Sequence, residues 1–279
     1  MGIDDVKREA YNAYMVSVKK TGFDKYLLYA ATNEDLDNLF KKINVKDKDV
    51  FTVLASSDHA LSCYASGAKF IDTFDIIYIS LWYAYLRKWL IVYQNKFYPS
   101  YHFFKDGDRE LYELICSITP SNEDEADAQI FWKEYMELHN YRSDYCLFNS
   151  NVCDQPTPFT GKIDLIKHFY DKPISFKNLN IFKPVYTNKK YDLIFLSNIL
   201  EHVHFDEDLV NVRNNIENLL KVGGEAICSS KIYDIDSPYH EKEIKVLTEN
   251  KLSLENTYSY YEPVVGRNMD LGYTYKKRF

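Results

Sequence analysis

Glycine is scarce in this chain, at 9 of 279 residues, and none lies between Thr52 and Ser66. That excludes the Gly-x-Gly-x-x-Gly and Walker loops, and with them the simplest dinucleotide and P-loop readings. No Gly-x-Ser-x-Gly elbow occurs either, so a hydrolase serine of that type is excluded. The 5 cysteines (Cys63, Cys116, Cys146, Cys153 and Cys228) are odd in number and form no Cys-x-x-Cys pair. A reduced, cytoplasmic protein is expected. Met1-Gly2-Ile3-Asp4-Asp5 lacks the basic and apolar parts of a signal peptide. The longest apolar stretch, Ile76 to Tyr93, is interrupted by Arg87 and Lys88, so no membrane span is expected. Positive charge is also short: the formal net charge is -7, which argues against nucleic acid and anionic membranes as partners. The lysines at 162, 167, 172, 177, 183, 189 and 190 are dispersed, and read as a solvated surface around a strand.

Hydrophobic residues make up 46% of the chain, with 25 tyrosines and 17 phenylalanines, so a large core is available and disorder is not expected. Apolar spacing predicts a helix over 3–21 and a second through Leu36, Leu39, Phe40 and Ile43, capped by Thr32 or Asn33. A short β-rich run, Val50–Leu54, precedes a helix from His59 to Ser66 with Gly67 as its stop, then a strand, Lys69–Asp75. This is a compact βαβ unit. A long helix follows, Ile79 to Gln94, whose Trp82, Tyr83, Tyr85 and Trp89 are read as core. Asp106-Gly107-Asp108 reads as a turn and Ser121-Asn122-Glu123-Asp124 as a helix start. Strands are expected at Ile174–Leu179, Tyr191–Asn198 and Glu225–Ser230, helices at Glu207–Leu220 and Ser237–Asn250, and a hairpin from Leu252–Tyr261 and Leu271–Lys277.

The fold class is therefore α/β: a doubly wound, mostly parallel sheet with an antiparallel C-terminal edge and a helical insertion. Residues 1–47 are expected as N-terminal helices packing on the core. Residues 48–96 and 161–279 form the Rossmann-like domain, and 97–160 an insertion that covers the substrate.

Ligands of such sheets bind beyond the carboxyl ends of the strands. Three strand ends here carry small or polar residues: Ala55-Ser56-Ser57-Asp58, Asp75, and Ser197-Asn198. Small residues let backbone N–H groups approach a ligand, and a strand-end acid can accept both hydroxyls of a ribose. Taken singly, each has a plain structural reading as an N-cap, a solvated carboxylate or a loop start. Asn198, Glu201 and His202 are candidates for the acceptor side, with Glu201 or His202 as general base. Tyr141 and Tyr145 are further candidates for acceptor contacts. His202, His204 and Asp206 lack a further nearby ligand, and no metal site is assigned.

The order Val53-Leu54 with its small loop, Ile71-Asp72-Thr73-Phe74-Asp75, Tyr191-Asp192-Leu193-Ile194-Phe195-Leu196-Ser197-Asn198 and Leu220-Lys221-Val222-Gly223-Gly224 resembles the class I S-adenosylmethionine-dependent methyltransferases, over roughly 48–95 and 173–279. The resemblance implies S-adenosylmethionine as cofactor. Ala55, Ser56, Ser57 and Asp58 would hold its methionine part, Asp75 with Ile76 the ribose region, Asn180 the adenine, and Ser197 and Asn198 the neighbourhood of the sulfonium. Gly223-Gly224 matches a structural turn. The glycine-free first loop departs from the superfamily's pattern. Leu54-Ala55-Ser56-Ser57-Asp58-His59-Ala60-Leu61, Ala65-Ser66-Gly67-Ala68-Lys69 and the stretch Phe97 to Gly107 are similar to the betaine-lipid-synthase-type aminocarboxypropyl transferases. What this implies is transfer of a methyl or aminocarboxypropyl group to a small-molecule or lipid acceptor. The alternative is a binding or scaffold protein with a degenerate cofactor site.

Overall fold

In the computed structural model the described residues are 1–19, 34, 36–94, 108–141, 158–159, 161–203, 205–232, 238–261 and 269–279. The expected turn at Asp106-Gly107, the caps Thr32 and Asn33, and the stretch Phe97 to Gly107 lie outside them.

Strands form where β-branched and aromatic residues run together. β1 (Asp49–Val53) pairs in parallel with β2 (Phe70–Asp75) on one side and β4 (Tyr191–Ser197) on the other. The short β3 (Phe176–Asn178) adds to β2, and β5 (Leu220–Ile232) adds to β4, all parallel. A hairpin of β6 (Leu252–Tyr261) and β7 (Met269–Lys277) completes the sheet. β7 is antiparallel to both β5 and β6, which gives the order β3-β2-β1-β4-β5-β7-β6. This is the doubly wound, mostly parallel sheet with an antiparallel edge that the sequence predicts. The order reverses between β1 and β4, which defines the switch point.

β5 starts earlier than Glu225, the expected first residue. Leu220 already pairs with Tyr191, and the register then shifts to Leu193 with Glu225. Lys221–Gly224 is thus a bulge within the strand rather than a free turn. Gly224 suits the bulge, because a Cβ would stand 3.0–3.1 Å from three backbone oxygens and would crowd them. Lys221 lies 2.8 Å from both Asp49 and Asp192, and ties the amino ends of β1, β4 and β5 together.

Side chains alternate between the two faces. Val50, Leu193, Phe195 and Ile227 face α2 (Leu36–Lys42) and α3 (Asp58–Ala65). Phe51, Ile194, Leu196 and Cys228 face α8 (Asp206–Leu219) and α9 (Pro238–Leu247). A further core joins α1 (Ile3–Lys19), α4 (Tyr78–Gln94), α5 (Asp108–Ser117), α6 (Glu123–Leu138) and α7 (Ile163–Phe169). Sequence reading did not foresee α7. Trp82, Tyr83, Tyr85 and Trp89 are fully buried in this helical core, as expected. Two of their polar edges find partners: the Trp89 indole donates to Glu125 at 2.8 Å and Tyr85 donates to Asn122 at 3.2 Å. Asn122 caps α6 by accepting from the Glu125 N–H at 2.9 Å. Among the described residues no helix is long and apolar enough to cross a membrane.

Candidate functional site

The parallel register decides what meets at the switch point. Val53 lies beside Phe74, and Thr52 beside both Thr73 and Phe195. The ends of β2, β1 and β4 are therefore level, and Asp75, Ala55 and Ser197 emerge at one edge. The backbone leaves this edge in a strained way. Ala55 (φ 40°), Ser57 (φ 69°) and Ser197 (φ 55°) all occupy the left-handed region without being glycine. Each costs about 1–3 kcal/mol, which persists only where surrounding contacts hold it, and such strain clusters at functional sites.

Those contacts are polar and buried. The Ala55 N–H donates to Asp75 Oδ2 at 3.1 Å, and the Ile77 N–H donates to Asp75 Oδ1 at 3.3 Å. Burial pushes the Asp75 carboxyl above its ordinary value, against the hydrogen bonds from Ser80, Ile77 and Ala55. Ile76, by contrast, is 61% exposed. An aliphatic side chain standing in water next to a strand-end carboxylate is an open apolar platform beside a polar anchor.

Arg87 from α4 holds the first loop. Its Nη1 donates to the Ser56 carbonyl, to Ser57 Oγ at 3.3 Å and to Asp58 Oδ1 at 2.8 Å. Ser56 Oγ donates to Asp58 Oδ2 at 3.0 Å. Ser56, Ser57, Asp58 and Arg87 are at most 2% exposed. A buried ion pair of this kind adds little net stability, but it fixes geometry, and removing one partner leaves a stranded charge.

A second buried pair lies on the β4 side. His59 Nε2 is 2.8 Å from Glu34 Oε2, and Ser197 Oγ donates to the other oxygen of Glu34. Burial alone would raise the Glu34 carboxyl, but His59 and Ser197 outweigh it and hold it below its ordinary value. Nδ1 of His59 is buried without a hydrogen-bond partner, so the ring presents one unsatisfied nitrogen next to the switch point.

The structure thus brings Ala55, Ser56, Ser57, Asp58, Asp75 and Ser197 to one edge. Asn198 stands beside them, its amide 3.5 Å from Glu201. Glu201 and His202 sit exposed on a 3₁₀ turn, Ile199–His202. Asn180 is set apart: it is exposed, accepts from the Phe182 N–H at 2.9 Å, and lines a separate cavity that neither Asp75 nor residues 55–58 reach. Tyr141 packs edge-on against Tyr112 at 4.9 Å; Tyr145 and His204 lie outside the described residues. Sequence reasoning missed Arg87, Glu34 and His59 as parts of the site. A lone arginine inside an apolar helix was the one available signal, because a buried charge demands a partner.

No family model matches the chain, and no curated protein matches its sequence. Among solved structures it is similar to the N-methyltransferase NodS from Bradyrhizobium japonicum, at 10% identity over 87% of this chain and 94% of that one, with a TM-score of 0.45. An S-adenosylmethionine-dependent methyltransferase from Mesorhizobium loti gives 10% identity over 86% and 96%, with a TM-score of 0.45. The glycopeptide N-methyltransferase MtfA gives 8% identity over 90% and 93%, with a TM-score of 0.47. At these TM-scores the likenesses decide nothing about chemistry, and the strand order and the edge described above carry the assignment: a doubly wound α/β protein with a polar crevice at its switch point.

Proposed function

We propose that this chain is an S-adenosylmethionine-dependent transferase, acting on a small-molecule or lipid acceptor. The observation that carries the reading is the meeting of Asp75 with the backbone of Ala55 at adjacent strand ends, with Ile76 exposed beside them. A carboxylate in that place suits the vicinal hydroxyls of a nucleoside, and an exposed aliphatic side chain suits the flat face of its base. Arg87 of α4 and Asp58 at the start of α3 pair with each other, and this buried pair fixes the backbone of the first loop, which would take the amino-acid end. The residues at the strand ends therefore fit the nucleoside part of the cofactor. Ala55 to Asp58, Asp75 and Ile76 would hold it, and Ser197 and Asn198 would flank its reacting end, while Asn180, on the separate cavity, is left out of it.

Bound there, the cofactor supplies a sulfonium with more than one carbon open to attack, so fold does not choose between methyl and aminocarboxypropyl transfer. The protein's part is orientation and proton handling. Asn198, Glu201 and His202 are assigned to the acceptor side, with Glu201 or His202 taking a proton from a hydroxyl or amine. The similarity of the first loop to the betaine-lipid-synthase type keeps aminocarboxypropyl transfer beside methyl transfer as the two finer readings.

A second reading has its own observation. Asp75 is already hydrogen-bonded by Ala55, Ile77 and Ser80, as it would be in a scaffold protein that no longer takes a cofactor. Calorimetric titration with S-adenosylmethionine separates the two: saturable heat with a rise in melting temperature is expected, and neither would appear in the scaffold. The by-product then identifies the group moved, methylthioadenosine for aminocarboxypropyl and S-adenosylhomocysteine for methyl. Full turnover in the double variant Glu201→Ala, His202→Ala would remove both from the mechanism.

A further inference from the structure

The crossover from β3 to β4 has no helix. Residues 179–190 run directly between the two strands, while α8 and α9 cover the same sheet face further along. Where a helix would lie there is a cavity of about 340 Å³, bounded by Asn178–Asn180 on one side and Lys183–Thr187 on the other, above Phe51 and Tyr191. That volume lies in the range of small-molecule sites.

Its wall is pinned. Asn215 of α8, only 2% exposed, donates to the carbonyls of Ile181 at 2.7 Å and Lys183 at 2.8 Å, and accepts from the Val185 N–H at 2.9 Å. Asn211 donates to the Phe182 carbonyl at 3.0 Å. A helix-free segment held by a buried asparagine is a preformed wall rather than a slack loop.

Its rim is positive in an acidic chain. Buried Asp72 accepts from Tyr191 at 2.6 Å and from Ser175, and pairs with Lys189 at 2.8 Å. Lys177 stands 3.8 Å from the same carboxylate and 3.4 Å from the Tyr191 hydroxyl. Two lysines thus share one acid, and exposed Lys183 has no acidic partner among the described residues. Of the dispersed lysines of the sequence, Lys177 and Lys183 line this cavity, with Lys189 held nearby on Asp72.

We propose that this cavity binds a small organic anion, a phosphate ester or carboxylate with a compact apolar body. Lys177 and Lys183 take the charge, Asn178 and Thr187 add hydrogen bonds, and Pro184 and Tyr186 hold the body. The site is separate from the strand-end crevice and stands whether or not that crevice takes a cofactor.

The test uses the full chain and three probes: phenyl phosphate, inorganic phosphate for the charge alone, and phenol for the body alone. Saturable binding of phenyl phosphate is expected, weaker for inorganic phosphate and absent for phenol. Lys177→Met and Lys183→Ala should each weaken it by about fivefold or more, with the circular dichroism spectrum unchanged. Lys162→Ala, at an exposed lysine outside the cavity lining, should leave it intact. Binding that is unchanged in both lysine variants, binding that is absent from the parent protein, or displacement of phenyl phosphate by S-adenosylmethionine would overturn the proposal.

Discussion

Asp72 and Asp75 stand three residues apart on β2, and their surroundings push them in opposite directions. At Asp75 burial dominates, and the carboxyl rises above its ordinary value. At Asp72 burial acts the same way but is outweighed by Lys189, Ser175 and Tyr191, and the carboxyl falls below it. The difference lies in the donors. Asp75 is bonded chiefly by backbone N–H groups and a serine, with Arg87 engaged nearby on Asp58 instead. Asp72 has an ammonium group of its own. One strand therefore carries an acid that the fold keeps short of positive charge and an acid that the fold neutralises. The first is suited to receive a hydroxylated ligand, and the second is suited to fix a wall.

The comparison can be broken at several points. The largest effect is expected at Arg87, since its loss strands the buried Asp58 carboxylate. Arg87→Met should lower stability by about 3–5 kcal/mol in urea unfolding, and an unchanged midpoint would show that the first loop does not depend on it. Asp72→Asn comes next. It should cost about 2 kcal/mol at pH 7, since it weakens charge-assisted bonds to a half-exposed lysine and a buried phenol. A group whose folded pKa is depressed stabilises above its unfolded pKa, near 3.8, and that contribution is lost as pH falls through the folded value. The gap between parent and Asp72→Asn should therefore close in strong acid.

Asp75→Asn should behave in the reverse sense. A raised carboxyl contributes its stability below the unfolded pKa and loses it as pH rises through the folded one. At pH 7 the neutral amide should change stability by less than about 1 kcal/mol, while S-adenosylmethionine affinity falls by about tenfold or more. Equal affinity in the variant would deny Asp75 its place in the proposed site. The smallest effect is expected at the exposed turn: Glu201→Ala and His202→Ala should each stay within about 0.5 kcal/mol of the parent in unfolding.

Much of the sheet was legible because its signals are local. β1 and β4 are mostly apolar, β2 pairs Phe70-Ile71 and Phe74 with its two acids, and the hairpin of β6 and β7 alternates as an edge should. Asp75 was legible too, as an acid closing a strand. The rest of the crevice was not, because its partners are far apart in the chain: Arg87 meets Asp58, and Glu34 meets both His59 and Ser197. No periodicity links such positions. Arg87 was noticed only as an interruption of an apolar stretch, and nothing in the sequence around Glu34 marks it out. The cavity was hidden for a related reason. Its two lysines, Lys177 and Lys183, come from β3 and from the helix-free segment after it, and the backbone path that Asn215 fixes sets the second.

The place of β7 has a consequence for biosynthesis. β7 is later in the chain than β6, yet among the described residues it is the only strand that pairs with β6, and it also covers the outer edge of β5. Until residues 269–277 have emerged from the ribosome, β5 must wait with its outer edge unpaired and β6 without any neighbour. Such edges recruit strands from other chains. Nascent protein at that stage is the form most exposed to chaperone capture, and a premature stop just before Met269 should give insoluble product instead of a smaller folded domain.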